Sequence, residues 1–398
     1  MSPAAPERLE AKKTSREVAV PDAKVEVSLV STGLEKDRFV KFQWEIYRDD
    51  PYWVPPLLME RHEFLDPEKN AFFRHADVAL FLARRGGRVV GRVAAVDDRN
   101  FNAFHGSKTA YFGLYESIDD EAVAASLFAA VKGWARRRGL GTVIGPLNLS
   151  SNYDWGLLVE GFGASPYLMM PYNPSYYAEL FQACGLQKAK DLYAWERSAE
   201  VPPPERFARI ADKIRQHTGI TVRTVDLGNF GAEVERIREV YNSAWEKNWG
   251  FVPMTEAEFD QLARELKRVV APELALMVED RGEPIAFSLT VPDYNQALKK
   301  VGGRLTTFGL PLGLARLLYH ARKIDRVRLM ALGVKEGWRR RGIDAVMVVE
   351  TIRRAHELGY KGGEISWTLE DNDLVNRAIE SCGCNRSRVY RVFETPVE

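Results

Sequence analysis

The sequence predicts an α/β (α+β) fold written twice: two tandem copies of one unit, each a mixed, mostly antiparallel sheet flanked by helices. Three observations carry this expectation. The 398 residues exceed one ordinary core and suit two domains of roughly 100 to 200 residues each. Local patterns recur in the same order at a nearly constant offset. One strand-to-helix junction also carries a basic turn that contains glycine.

Taken along the chain, residues 1–24 mix prolines, acids and bases without an apolar run, and are expected to be a disordered tail and not a signal peptide. An amphipathic helix then ends in an aromatic cluster, Ile46 to Pro55 (IYRDDPYWVP), which matches Ala244 to Pro253 (AWEKNWGFVP) at an offset of 198. The next segment, Val78 to Val96, reads as strand, glycine turn, strand. Leu274 to Val291 reads the same way at an offset of 196, Gly86 against Gly282. Downstream, Ala178 to Glu196 matches Asn376 to Glu394, Cys184 against Cys382, again at 198.

The long helix and the strand after it pair at 220, Gly139 against Gly359. The difference implies about 22 extra residues in the first half, Ser150 to Tyr172. Each half therefore reads strand, helix, hairpin, strand, long helix, strand, helix, strand. Residues 25–199 and 220–398 are the expected domains. Residues 200–219 are the expected linker, because Pro202 to Pro204 cannot continue a helix or a central strand.

Composition narrows the function. Apolar residues make up 45% of the chain and charged ones 28%, which is ordinary for a globular protein. Lysine plus arginine (56) nearly equals aspartate plus glutamate (55), so no global field attracts nucleic acid, and any anion site must be local. The three cysteines form no even framework, which suits a reducing, cytoplasmic setting. Cys382 and Cys384 lack a nearby histidine, and the six histidines show no metal-ligand spacing, so no metal is expected. No apolar run reaches the roughly 18 residues a membrane-spanning helix needs, though peripheral contact with the inner membrane is compatible with the sequence.

The segment Arg326 to Tyr360 begins as an alternating strand and ends as an amphipathic helix, with Arg339, Arg340, Arg341 and Gly342 at the junction. Free backbone N–H groups at a helix N-terminus, the helix dipole and a glycine that permits close approach suit a pyrophosphate. The corresponding helix of the first half begins with acids (ESIDDEA), which would repel phosphate, so that copy is expected to be a degenerate scaffold.

VKEGWRRRGID resembles the acetyl-CoA loop of the GNAT superfamily: arginine or glutamine, two residues, glycine, one residue, then glycine or alanine. Arg339 and Gly342 match, and Asp344 stands where the last small residue belongs. The resemblance implies acyl-CoA as cosubstrate. It implies that Arg339, Arg340, Arg341, Gly342, Ile343, Asp344 and Ala345 bind it, with a backbone donor around Leu332 to Val334. The unit GGEISWTLEDNDLVNRAIESCG is similar to the superfamily's last motif, with Asn372 and Gly383 in place. Ile379 replaces the tyrosine that is often the general acid, which leaves Tyr390 as a candidate.

Amide formation requires a proton acceptor near the amine. Glu364, Glu370, Asp371 and His320 are the candidates in the second half. Glu370, at a strand end, suits a cleft, and an alternative role at the helix start stands beside it. The extra segment is apolar with polar islands, Asn152, Asp154, Glu160, Tyr172 and Asn173, and suits a greasy acceptor or acyl chain.

Across nearly the whole chain after residue 25, GPLNLSSN, GLLVEGF, MMPYNPSYY and SWTLEDND resemble bacterial tandem-GNAT acyltransferases, some of which are implicated in ceramide synthesis. The resemblance implies N-acyl transfer from acyl-CoA to an amine, with a long-chain sphingoid base as the lipid acceptor. Two other readings stand beside it: a non-catalytic CoA-binding or regulatory module, and a Fem-like aminoacyl transferase, which the near-neutral charge disfavours. Oligomeric state is not legible.

Overall fold

The computed structural model describes residues 23–216 and 219–397, so the expected tail lies almost wholly outside the described residues, as does His217. Thirteen strands are present among the described residues. The first half supplies β1 (Glu26–Leu29), β2 (Ala76–Arg85), β3 (Arg88–Asp98), β4 (Thr109–Ser117), β5 (Thr142–Gly145), β6 (Leu157–Glu160) and β7 (Gln187–Ser198). The second supplies β8 (Ile220–Thr224), β9 (Ala275–Asp280), β10 (Glu283–Pro292), β11 (Arg326–Val334), β12 (Gly362–Leu369) and β13 (Asn385–Pro396).

Both hairpins, β2 with β3 and β9 with β10, close through two-residue turns at positive φ, Gly86–Gly87 and Arg281–Gly282. That conformation matches the twist of the flanking strands. The long helix Glu121–Arg137 buries Val123, Leu127, Phe128, Val131 and Trp134, a stripe of 3.6 periodicity, on the face of β2 to β5. Each fully buried member contributes about 1.5–3 kcal/mol. Helix Ile343–Glu357 does the same in the second half through Ile343, Val346 and Met347.

The halves share one continuous sheet, in the order β1-β2-β3-β4-β5-β13-β7-β12-β11-β10-β9-β8, with β6 added beside β13. The last strand of each half lies in the other's territory: β13 pairs with β5, and β7 pairs with β12. The two exchanged strands pair with each other at the centre, around an approximate two-fold. The side chains follow. Phe393 joins the core of the first half, 5.4 Å from the Phe181 ring, while Trp195 packs with Ile379, Cys382 and Cys384 of the second.

The segment expected as a linker contains helix Glu205–Arg215, which starts after Pro204 and packs Phe207, Ala211 and Ile214 onto Val346 and Val349. Proline fits there because the first helical N–H groups need no intrahelical acceptor. The extra segment of the first half holds β6 and a run of irregular chain. It has a counterpart not foreseen in the sequence: Asp98 aligns with Asp293, but Thr109 aligns with Arg326, so the second half is longer between β10 and β11.

Candidate functional site

The geometry centres on two parallel strand pairs that part company. β11 and β12 are paired only from Arg326↔Gly362 to Leu329↔Ile365. Immediately beyond, each strand bulges: Met330 is the extra residue of β11 against β10, and Trp367 that of β12 against β7. From Met330 to Val334 the edge of β11 away from β10 therefore has no strand opposite it among the described residues. Leu332 and Val334 lie on this stretch, opposite Ser288 and Ala286 of β10, and Met330 to Leu332 are half-buried.

In the first half β4 and β5 also part, after Tyr111↔Ile144, but the gap is closed. Leu147 donates its N–H to the Phe112 carbonyl at 2.8 Å, and the Asn148 side chain accepts from Leu114 N–H at 2.8 Å. The approach is so close that a Cβ on Gly113 would lie 1.8 Å from the Leu147 carbonyl oxygen. The adjoining helix start is occupied as well. Asp120 accepts from the N–H groups of Ala122 (2.9 Å) and Val123 (3.1 Å) and pairs with Arg85 at 2.7 Å.

The second half leaves the equivalent helix start open. Helix Ile343–Glu357 begins at Gly342, whose φ of +82° explains the glycine, and no side chain caps it. Its first intrahelical bond is Val346 N–H to Gly342 O at 3.1 Å, so Ile343, Asp344 and Ala345 present N–H groups with no intrahelical acceptor. Asp344 points to solvent, while Ile343 and Ala345 are buried and anchor the turn.

Arg339 ties the loop down, donating to Ala244 O at 2.8 Å and Val334 O at 3.3 Å. Arg340 and Arg341 are exposed, and the Arg341 guanidinium lies 4.7 Å from the Trp338 ring centre. A helix dipole, free amides and two exposed guanidinium groups are together chemically able to accept an anion.

The other expected residues separate into groups. Glu370 accepts from Lys188 Nζ at 2.6 Å and from Asp191 N–H at 3.0 Å, and Asp371 pairs with Lys190 at 2.8 Å, so both brace β12 against β7. Asn372 precedes helix Asp373–Ser381 without capping it. Tyr390 is fully buried and its hydroxyl finds no partner; burial pushes its pKa well up, as does the Glu364 carboxylate, against the pull of Arg388 and Arg328.

Asn152 accepts from Tyr241 Oη at 3.1 Å and donates to Val252 O at 3.2 Å. Asn173 is buried and bonds both backbone groups of Leu158. Tyr172 donates to Asp50 at 2.9 Å in an open groove of about 550 Å³, and Glu160 is exposed at the end of β6. Asp154 differs from these: it is half-buried, and its carboxylate makes no hydrogen bond or ion pair among the described residues, though Arg328 feels its charge. The neighbouring Trp155 stacks on Trp249 (5.8 Å) and meets Trp367 edge-on (5.1 Å), which forms an aromatic wall on the parted stretch of β12.

Of the candidates, Glu364 lies in an ionic cluster at the root of the gap whose other members, Arg328 and Arg388, sequence reasoning missed. Glu364 accepts from Arg388 at 2.7 Å and from Ser366 at 2.5 Å, and Arg328 donates to Ser366 at 2.8 Å and to Leu168 O at 2.7 Å. Burial pushes the Glu364 carboxyl up, opposed by Arg388 and Arg328. Arg328, a second arginine set among the apolar residues of β11, was the available signal. No group of three or more His, Cys, Asp or Glu that could hold a metal occurs among the described residues.

No protein-family model matches the chain. It is 37% identical over 380 residues to the bacterial ceramide synthase of Caulobacter vibrioides, covering 94% of this chain and 98% of that one. It is 33% identical over 375 residues to protein YghO of Escherichia coli, covering 93% and 95%. Among solved structures, a tandem GNAT protein from the clavulanic acid biosynthesis pathway superposes with a TM-score of 0.54 at 11% identity, covering 94% of this chain and 99% of that one. That likeness is one of fold.

Proposed function

The chain belongs to the tandem-GNAT N-acyltransferase family of these two relatives, and on that premise we propose that it transfers an acyl group from acyl-CoA to the amine of a long-chain sphingoid base. One observation carries the reading: an open strand edge and an uncapped, arginine-rich helix start occur together in the second half, while both features are closed in the first. The printed name of the Caulobacter relative supports the choice of acceptor.

In this reading Arg340, Arg341 and the N–H groups of Ile343, Asp344 and Ala345 hold the phosphates, and Arg339 keeps the loop in shape. The thioester supplies the acyl carbon. The unpaired edge of β11 beyond Leu329 supplies backbone N–H donors for the oxyanion that develops there. The amine must arrive neutral, and Asp154, the unpartnered carboxylate beside the aromatic wall, takes the proton it loses on forming the amide. Glu370 holds the end of β12. The departing sulfur takes a proton from water or from Tyr390, and Tyr390→Phe distinguishes the two: unchanged turnover assigns Tyr390 to the core. Trp249 and Trp367, half-buried and backed by the buried Trp155, offer the apolar surface that a lipid acceptor needs.

The test is mass-spectrometric product detection with palmitoyl-CoA or acetyl-CoA and a panel of amines including sphinganine and 3-ketosphinganine. A long-chain amide is expected from the wild type. Arg340→Ala with Arg341→Ala should raise KM for acyl-CoA about tenfold or more, since each charge-assisted bond contributes about 1.5–3 kcal/mol and exposure reduces it. Acyl-CoA binding without an amide from any acceptor would leave the non-catalytic module as the correct reading.

A further inference from the structure

Between Tyr294 and Ile324, the longer β10-to-β11 connection of the second half contains six lysines and arginines and no acid, in a chain whose net charge is +1. The same segment exposes Phe308, Leu310, Leu312, Leu314, Leu318 and Tyr319. Phe308 is 99% exposed at the tip of a tight turn that Thr307 and Leu310 close through reciprocal hydrogen bonds of 2.9 and 3.0 Å. Helix Leu312–Ala321 follows, with Leu314 and Leu318 one turn apart on its outer face.

This exposure is held in place. Ala297 and Val301 are buried, Gly303 O accepts from Leu58 N–H at 3.0 Å, and Lys299 and Asn295 bond Ser165 and Pro166 of the first half's extra segment. A Cβ on Gly313 would lie 1.9 Å from Arg304 O, so the helix rests directly on its own loop.

A rigid apolar tip and helix face, on a segment whose exposed charges (Lys300, Arg304, Arg316, Arg322 and Lys323) are all basic, complement an anionic bilayer: apolar groups enter the interface while lysine and arginine meet the headgroups. No helix among the described residues is long and apolar enough to cross a membrane, so attachment by this face is interfacial. We infer that residues 294–324 form a membrane-docking surface that binds anionic phospholipid. This follows from the segment itself and does not depend on the identity of the acyl acceptor.

The experiment is co-sedimentation of the full chain with vesicles of phosphatidylglycerol and phosphatidylcholine in equal parts, and with phosphatidylcholine alone. The wild type should bind the anionic vesicles and release them at high salt. Arg316→Gln with Arg322→Gln, at exposed positions where folding is undisturbed, should weaken binding by roughly fivefold per base, the effect of one base near such a surface. Phe308→Asp with Leu318→Glu should abolish binding while circular dichroism stays unchanged. Failure of the wild type to bind, equal binding by the variants, or a dimer that Phe308→Asp and Leu318→Glu dissolve in the absence of vesicle binding would each overturn the inference.

Discussion

Replacing His75 with glutamine should remove a pH-dependent tie between the two halves. Its Nδ1 lies 3.0 Å from Asp98 of the first half and its Nε2 3.0 Å from Glu258 of the second. Both carboxylates are nearly sealed from water, and the imidazole is 12% exposed. Burial alone would lower the histidine's pKa, but the hydrogen bonds and charges of Asp98 and Glu258 outweigh it and raise the value to about 9. The unfolded chain titrates near 6.5.

Because the folded value is the higher one, the folded state holds the proton more tightly. The stabilisation is complete below about pH 6.5 and is lost as pH rises through 9. The gap of roughly two and a half units corresponds to about 3 kcal/mol as an upper figure. Urea unfolding of wild type and His75→Gln between pH 6 and 10 measures it. The difference between the two proteins should shrink by about 2–3 kcal/mol over that range. A difference that stays flat with pH would refute the assignment of a charged latch.

Asp154→Asn should lower kcat by roughly a hundredfold or more with little change in KM for acyl-CoA, as loss of a general base does. Unchanged kcat would remove Asp154 from the proton path. Asp293, which accepts from the N–H groups of Leu168 and Asn295, has its pKa raised by burial to about 7, against the lowering effect of those bonds. The native state then binds more protons than the unfolded state between about pH 4 and 7. Wild-type stability should therefore fall through that window relative to Asp293→Asn, by roughly 2–4 kcal/mol, and parallel denaturation curves at pH 4.5 and 8 would show it.

Much of the fold was legible because the chain spells each element twice. A hairpin or an aromatic cluster that recurs at 196 or 198 residues needs no alignment to be recognised. The strand exchange was not legible, because alternation tells a strand which face to bury and says nothing about which neighbour it joins. The helix Glu205–Arg215 was hidden behind Pro202 to Pro204, although Phe207, Ile210, Ala211 and Ile214 already had helical spacing.

The candidate anion site lies on one continuous segment, Arg326 to Tyr360, and so could be proposed from the sequence. Glu364 was a candidate, but its grouping with Arg328 and Arg388 was not legible, since the three come from three different strands. Asn152 and Asn173, expected as substrate residues, bond backbone or neighbouring side chains in the structure, and a polar residue in a loop reads the same way in either role.

The order in which the chain is synthesised gives the exchanged strands a temporal meaning. Phe393, which completes the packing around Phe181 in the first core, is synthesised about 200 residues after it. Until it arrives, β5 and β7 lack the strand that lies between them and present open edges to the crowded cell. Unlike a chain whose first domain closes while the second is still being made, this one must keep its N-terminal half unfinished until β13 has been made, so nascent-chain protection becomes a requirement of its topology.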